Sequence, residues 1–225
     1  LDEMDQAYEK LGVLLGRETE GNELADFCRD AYETALRTAE AAKEEGGKTS
    51  LLYCTQEDGQ NVLAKDSYHS EIIDLLSDNL AVLEDPSIIC SRLTSFPSSE
   101  GSGNEVNLEQ MMVWDPEVII FAPDGYYSYA ADDPAWQMLS AIRTDQFYEV
   151  PTGPFNWMGS PPSCNRVLGL YWLSALLYPD LVDFDLEEVT MRYYQLFFHC
   201  QLTEDQYEKL VENSIGKLDS QLRAD

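Results

Sequence analysis

The chain has 225 residues, of which 44% are apolar and 11% aromatic, enough to bury a sizeable core in one large domain or two small ones. Lysine and arginine number 14 against 42 aspartate and glutamate residues, which gives a formal net charge of −28. Such a surface repels nucleic acid and anionic membranes, so we expect neither as a partner. No apolar run reaches the roughly 18 residues that would indicate a membrane span.

The five cysteines are scattered along the chain with no Cys-x-x-Cys pair, which excludes the zinc-ribbon and thioredoxin motifs. We interpret them as buried thiols. They are Cys28, Cys54, Cys90, Cys164 and Cys200.

Two amphipathic helices are predicted at the amino end. Apolar residues recur at helical spacing over residues 1–15, ending at Gly16, and again over residues 24–39, ending at Gly46-Gly47. Because the chain opens abruptly inside a helical pattern, we expect that a preceding segment has been removed.

The next part of the chain alternates between strands and helices. Residues 50–54 are predicted as the first strand and residues 55–69 as a polar loop. A helix over residues 70–77 and a short strand over residues 81–83 follow. Residues 85–105 have the composition of a loop.

Residues 107–123 carry the strongest local signals. Asn107 with Gln110 is a capping-box pattern that predicts a helix start, and Asp115-Pro116 ends the helix because the residue before proline avoids the helical region. Residues 118–122 are a continuous apolar run, typical of a strand buried on both faces of a parallel sheet. Pro-Asp-Gly at residues 123–125 ends this strand.

The carboxyl part begins with Asp133-Pro134, which predicts a helix start whose buried face is Trp136, Leu139 and Ile142. Residues 146–150 are the next predicted strand. The loop over residues 151–162 has a length that is usually functional or disordered, and its two aromatic residues favour function.

Three further helices are predicted, over residues 167–178, after an Asp185/Glu188 cap and after a Thr203/Gln206 cap. The alternation of strand and helix predicts an α/β fold, a Rossmann-like lobe with a parallel sheet flanked by helices and long helices at the amino end.

Catalytic constellations are missing from the sequence. The chain has only His69 and His199 and no Gly-x-Ser-x-Gly elbow, so a hydrolase is disfavoured. No glycine-rich phosphate loop and no metal-site spacing is present. We therefore expect no enzyme, no cofactor and no metal held by the protein. His199 is interpreted as a packed or capping residue, and His69 as a ligand contact or a helix-start residue.

Aromatic and amide side chains occur on three loops that a parallel sheet places at one edge. The carboxyl ends of parallel strands meet there, and such a rim suits a large, partly apolar ligand. The loop over residues 124–129, which includes Tyr129, is a site candidate by position; ordinary loop packing is the alternative. The predicted ligand-binding residues are Tyr68, His69, Tyr126, Tyr127, Phe155, Asn156 and Trp157.

Four motifs in order, at residues 107–120, 133–143, 146–151 and 156–163, resemble the carboxyl half of the substrate-binding proteins of ABC importers for iron-siderophores, haem and cobalamin. The resemblance covers about residues 1–210. It implies two Rossmann-like lobes joined by one long helix, with ligand held between them. Residues 1–48 then form a helical segment with part of the inter-lobe helix and residues 49–225 the C-terminal substrate-binding lobe. We expect the first lobe to be missing from this sequence.

The resemblance implies capture of an iron complex, of siderophore or haem type, and delivery to the transmembrane subunits of an ABC permease. It implies an extracytoplasmic location, as a cell-surface lipoprotein or a periplasmic protein, with membrane attachment only through a lipid anchor outside this fragment. Molybdate, tungstate or cobalamin are alternative ligands within the family. An acidic protein-interaction module that uses the tyrosine loop is the alternative from another class.

The resemblance also assigns a role to Glu109. In this family a glutamate in a Ser-x-Glu-Gln motif docks onto permease arginines, and Asn107-Leu108-Glu109-Gln110 matches that motif except for asparagine in place of serine. Glu109 is therefore the predicted docking residue. It also reads as a first-turn acid stabilised by the helix dipole, and the two roles are compatible.

Overall fold

The computed structural model describes residues 1–82, 104–123, 125–159 and 162–217. The chain divides into two compact units. Unit 1 comprises Leu1–Gly47 and Cys164–Asp225, and unit 2 comprises Lys48–Ser163. The predicted division at residues 48 and 49 stays a prediction. Leu83, Cys90, Asp124 and most of the predicted loop over residues 85–105 lie outside the described residues.

The described helices and strands have the following bounds. The helices are α1 (Met4–Leu15), α2 (Glu18–Glu45), α3 (Glu71–Leu76), α4 (Leu108–Trp114), α5 (Tyr127–Ala130), α6 (Ser140–Arg143), α7 (Asn165–Leu177), α8 (Leu186–Phe198) and α9 (Glu204–Val211). The strands are β1 (Ser50–Thr55), β2 (Asn61–Val62), β3 (Asp78–Asn79), β4 (Asn104–Glu105), β5 (Val118–Phe121) and β6 (Phe147–Glu149).

Unit 1 is helical. The helices α1 and α2 approach closely where Gly12 meets Gly21, since a Cβ at Gly21 would lie 2.7 Å from the Gly12 Cα atom. The predicted caps are confirmed: Asp185 accepts from the Glu188 backbone N–H at the start of α8, and Thr203 forms a full capping box at α9. The core of unit 1 contains a cluster of rings from α2, α7 and α8, namely Phe27, Tyr171, Tyr193 and Phe197.

Unit 2 is built on one mostly parallel sheet, as predicted. The described strands have the order β4-β2-β1-β5-β6, and β3 also pairs with β1. The central strands β1, β5 and β6 are parallel, with Leu51 opposite Val118 and Ile119 opposite Phe147. The two-residue strands β2 and β4 are antiparallel and were not predicted, because they are too short to show an alternating pattern.

The predicted strand over residues 81–83 was wrong in position, since pairing with β1 occurs earlier, at Asp78 and Asn79. The apolar run at residues 81–83 gave the wrong position because the residue of β3 that faces the interior is polar. Asn79 is only 1% exposed, and its side chain donates to the Leu63 carbonyl and accepts from the Ala81 N–H. A polar residue whose hydrogen bonds are satisfied in this way can occupy a buried strand position.

The helix α4 confirms the predicted start and stop. The Asn107 side chain accepts from the Gln110 N–H at 2.8 Å, and Asp115 ends the helix in the left-handed region with φ of 40°. The Asp115 carboxylate then accepts from the backbone N–H and the hydroxyl of Ser140, each at 2.8 Å. These bonds lower the pKa of Asp115, chiefly through the backbone N–H, and join the end of α4 to the start of α6.

The single helix predicted after Asp133 is broken in two. A 3-10 turn over Trp136–Met138 precedes α6, and Leu139 between them is extended with ψ of 136°. The predicted buried face is confirmed, because Trp136, Leu139 and Ile142 are 1%, 0% and 6% exposed. These side chains belong to the unit 2 core, which packs on one face of the sheet around Leu52, Ile119, Phe121 and Phe147.

Candidate functional site at the carboxyl edge of the sheet

The three central strands end side by side and open into loops at one edge of the sheet. The Ala122 N–H donates to the Cys54 carbonyl at 2.8 Å, and the Val150 N–H donates to the Phe121 carbonyl at 3.0 Å, so the ladder continues into the loops. A Cβ at Gly125 would lie 2.8 Å from the Ala122 oxygen and 3.4 Å from that of Gln56. The loops after β1 and β5 are therefore in contact.

Three aromatic rings lie in contact where these two loops meet. The Tyr126 ring lies 5.1 Å from the Trp136 ring at an interplanar angle of 28°, and Tyr129 lies 5.7 Å from Tyr126. Position 59 requires glycine, since its φ is 66° and a Cβ there would come within 2.8 Å of the Trp136 ring and 3.0 Å of the Tyr126 Cβ. Tyr129 is 64% exposed. We call Tyr126 and Tyr129 the tyrosine pair.

A short hydrogen bond fixes the tyrosine pair. The Tyr126 hydroxyl donates to the Asp133 carboxylate at 2.6 Å, and Asp133 also accepts from the Ala135 N–H. The bond to Asp133 raises the pKa of Tyr126 to about 12, with burial and the charges of Asp133 and Asp58 adding to it. The same bond lowers the pKa of Asp133. Asp133, predicted as a helix cap, thus also orients a site residue.

Tyr127 takes a different position from its neighbours. It begins the short helix α5, within a segment predicted as a loop, and its ring lies 5.4 Å from Phe147. It is partly buried and packs against the unit 2 core. Its main visible role is structural, and contact with ligand stays a prediction.

The Asn156 side chain stabilises the loop after β6 through hydrogen bonds. Its side-chain oxygen accepts from the N–H groups of Met158 and Gly159, and its side-chain nitrogen donates to the Tyr53 hydroxyl at 3.1 Å. Burial raises the pKa of Tyr53, which therefore remains a neutral partner. Asn156 is only 5% exposed, so this predicted ligand contact acts first as the support of its own loop.

The two aromatic residues of this loop are placed in opposite ways. Trp157 is fully buried, and its indole N–H has no hydrogen-bond partner among the residues that the structure describes. Phe155 is 41% exposed. A ligand at the surface can reach Phe155 directly, whereas it can reach Trp157 only after the loop moves. Contact with Trp157 stays a prediction.

His69 lies against the same loop. Its Nδ1 atom is 3.3 Å from the Gly159 carbonyl oxygen. Because a carbonyl only accepts, Nδ1 carries the proton, and in the neutral ring Nε2 is left to accept a hydrogen bond or bind a metal. Tyr68 is 65% exposed, and its ring lies 5.6 Å from His69. The structure therefore brings His69 to the loop of Phe155, with Tyr68 beside His69, and contact of either residue with ligand stays a prediction.

Asp74 fixes the segment that carries Tyr68 and His69. Its carboxylate accepts from the Asp66 N–H, the Ser70 hydroxyl and the Asn79 side-chain amide, at 2.8, 2.7 and 2.9 Å. The sequence alone gave no reason to single out this acid, because its partners come from the turn before α3 and the strand after it. Gly59 was missed as well, although Asp58-Gly59 is a turn signal.

Glu109 is exposed on the first turn of α4, beside the Asn107 cap. It forms no ion pair with any residue in the described ranges. Within those ranges no group of three or more His, Cys, Asp or Glu side chains could hold a metal ion.

We predict that Asp74→Ala lowers the free energy of unfolding by about 2–3 kcal/mol, because it removes three acceptor contacts and leaves the buried Asn79 amide with one fewer partner. Urea denaturation measures this change. Asp78→Ala is the matched control, since its exposed ion pair with Lys65 should contribute less than about 0.5 kcal/mol. Equal losses in the two variants would contradict the anchoring role.

A second prediction concerns the titration of Tyr126 and Asp133, whose side chains are hydrogen-bonded. The contribution of this hydrogen bond to stability is complete between about pH 4 and 10, and is lost as the pH rises through the raised pKa of Tyr126 or falls through the lowered pKa of Asp133. Asp133→Ala should return the Tyr126 pKa towards 10, as followed by NMR of ¹³C-labelled tyrosine. Asp132→Ala, one residue away, is the control and should leave the Tyr126 pKa unchanged. A Tyr126 pKa at its ordinary value of 10.0 in the unmodified chain would contradict the hydrogen bond.

No helix in the described part of the chain has both the length and the apolar character needed to cross a membrane.

Comparisons with known proteins identify the architecture. No protein-family model and no curated protein matches the sequence. Among solved structures, an ABC transporter solute-binding protein from Sulfurospirillum deleyianum has a TM-score of 0.78 and 27% identity, and the match covers 93% of this chain and 61% of that one. This chain thus spans about three fifths of the length of that protein.

Two further structures share the fold at lower identity. The molybdate periplasmic binding protein MolA of Haemophilus influenzae, bound to molybdate, matches with a TM-score of 0.65 and 18% identity over 90% of this chain and 57% of its own. A periplasmic heme binding protein from Pseudomonas aeruginosa matches with a TM-score of 0.59 and 16% identity, over 82% of this chain and 62% of its own. The neighbours are binding proteins and not enzymes, which agrees with the prediction of no enzymatic activity. By its fold, the chain is similar to the solute-binding proteins of ABC transporters.

Proposed function

We propose that this chain supplies the carboxyl-terminal lobe of the substrate-binding component of an ABC importer. The protein would capture an iron complex of siderophore or haem type outside the cytoplasm and deliver it to the permease. The observation that supports binding most directly is the edge of unit 2, where the parallel strands β1, β5 and β6 end side by side and the loops after β5 and β6 expose Tyr129 and Phe155. In open α/β sheets ligands bind at this edge.

The exposed side chains favour a large, partly apolar ligand. Tyr68, Tyr129 and Phe155 are each more than 40% exposed, although aromatic side chains are usually buried. Rings of this kind gain contact area when a ligand covers them, and tyrosine hydroxyls fix its orientation. A small oxyanion would leave most of these rings uncovered, so an iron chelate or haem fits the surface better than molybdate or tungstate.

The described residues also favour a metal that arrives already chelated. They contain no group of three or more side chains that could hold a bare metal ion. His69, with Nε2 available, could supply one ligand to a metal whose other positions are filled. The lobe would then recognise the complex through its organic surface, and the metal would be cargo.

Delivery requires contact with the permease, and Glu109 is the proposed docking residue. It stands exposed at a helix start, where the peptide dipoles favour a negative charge. An exposed carboxylate with no partner in the described residues is available to an arginine of another protein, and such charge-assisted bonds are among the stronger hydrogen bonds.

The ligand is tested by titrating the full-length protein with ferric siderophores, haem, cobalamin, molybdate and tungstate in a calorimeter. We expect a ferric complex or haem to bind more tightly than either oxyanion. Phe155→Ala should weaken that binding about tenfold, because an aromatic contact contributes about 0.5–1.5 kcal/mol beyond its buried area.

The matched control for Phe155→Ala is Val113→Ala, which also truncates an exposed apolar side chain but lies on α4. It should leave affinity unchanged. Binding of oxyanions alone would replace the iron proposal. Binding of a soluble protein partner, with no small-ligand affinity, would favour an acidic interaction module instead.

The docking role is tested by Glu109→Arg, which places a positive charge against the permease arginines. Uptake in cells should be abolished, while ligand affinity of the purified protein stays within a few-fold. Glu105→Arg, an equal change of charge at another exposed acid, is the control and should retain uptake. Normal uptake by the Glu109 variant would refute docking through this residue.

A further inference from the structure

The described lysine and arginine side chains of unit 2 are held away from the proposed ligand edge. The lysines and arginines in its sequence are Lys48, Lys65, Arg92 and Arg143, and Arg92 is outside the described residues. Lys48 precedes β1, and its ammonium donates to the main-chain oxygens of Asp74 and Leu75. It is therefore engaged at the amino end of the strand.

Lys65 and Arg143 are engaged in the same region of the sheet. The Lys65 ammonium lies 3.3 Å from Asp78, and Asp78 stands opposite Ser50, the first residue of β1. Arg143 precedes β6 and donates to the Met138 carbonyl and the Ser140 hydroxyl. The three described cations of unit 2 are thus held near the amino ends of the parallel strands.

The described loops at the carboxyl edge carry acidic side chains and no lysine or arginine. Glu57 and Asp58 follow β1 and are exposed, and Asp132 and Asp133 follow the tyrosine pair. The sequence contains no lysine or arginine at residues 56–60, 122–133 or 149–159. Asp58 precedes Gly59, where a Cβ would meet both Trp136 and Tyr126, and the Asp58 charge contributes to the raised pKa of Tyr126, so this carboxylate lies near the tyrosine pair.

The faces of aromatic rings also favour cations over anions. The face of a tyrosine ring carries partial negative charge and attracts cations within about 6 Å of its centre. Tyr129 offers an exposed ring beside Tyr126. Among the described residues of these loops, an anionic ligand would meet carboxylates and ring faces and no arginine or lysine.

From this charge distribution we propose that the lobe selects metal complexes that are neutral or positively charged, with any cationic group lying against the tyrosine pair and Asp58. This inference rests on the proposed function and narrows its substrate class. Ferric trihydroxamates have this charge range. Ferric tris-catecholates, which are trianions, and molybdate do not.

The experiment is a calorimetric titration of the full-length protein at low ionic strength with four probes: cationic ferrioxamine B, neutral ferrichrome, a trianionic ferric tris-catecholate and molybdate. We expect the two hydroxamate complexes to bind at least a hundredfold more tightly than the two anions. Tighter binding of either anion would overturn the inference and leave the importer function standing. No binding of any probe would count against both.

Charge-reversal variants locate the effect. Asp58→Lys should weaken ferrioxamine B about tenfold, change ferrichrome affinity less than threefold, and lose its effect as salt screens the charges. Asp78→Lys makes the same change at the opposite end of β1 and should leave both affinities unchanged. Circular dichroism checks that both variants are folded. Equal effects of the two reversals would overturn the assignment of the cationic group to the tyrosine pair.

Discussion

Hydrogen bonds between β1, β5 and β6 join strands that run in one direction, with Cys54 opposite Phe121 and Phe121 opposite Glu149 at their ends. Parallel pairing leaves no freedom in where the following loops emerge: all three open at the same edge. The continuous apolar sequence of β5, buried on both faces, is what keeps this strand in the centre. The positions of the proposed binding residues after β5 and β6 follow from that arrangement, whereas Tyr68 and His69 lie in the turn before α3.

The features that could be predicted from sequence are those encoded by neighbouring residues. The cap at Asn107, the stop at Asp115-Pro116 and the caps at Asp185 and Thr203 depend on contacts within three or four residues, and the structure shows each of them. The parallel order of the central strands followed from the alternation of strand and helix.

The features that were missed depend on contacts distant in sequence. The bond from Asp115 to Ser140 starts α6 after a break at Leu139, so one predicted helix became a turn and a short helix. The burial of Asn79 moved β3 to an earlier position than its apolar neighbours suggested. Likewise, Asn156 and Trp157 have the residue types of ligand contacts, and only the fold shows that they are buried.

The candidate site combines hydrogen-bonded loops with exposed aromatic side chains. Asp74, Asp133 and Asn156 each hold one loop through hydrogen bonds to its own segment or to the adjoining one. The rings that remain exposed, among them Tyr68 and Phe155, are carried on these loops. Preorganisation of this kind lowers the entropy lost on binding. Solved structures of the same fold include a heme-binding protein and a molybdate-bound protein, so the fold by itself does not determine the ligand.

The central claim is that ligand lies at the carboxyl edge of β1, β5 and β6. The most direct measurement is NMR of the full-length, isotope-labelled protein with a ferric trihydroxamate, compared with its diamagnetic gallium analogue. High-spin iron broadens amide signals close to it. The account predicts broadening at residues 56–60, 125–130 and 153–159, with sharp signals around Lys48, Asp78 and Arg143. Broadening at the amino ends of the strands, with the three loops unaffected, would contradict it.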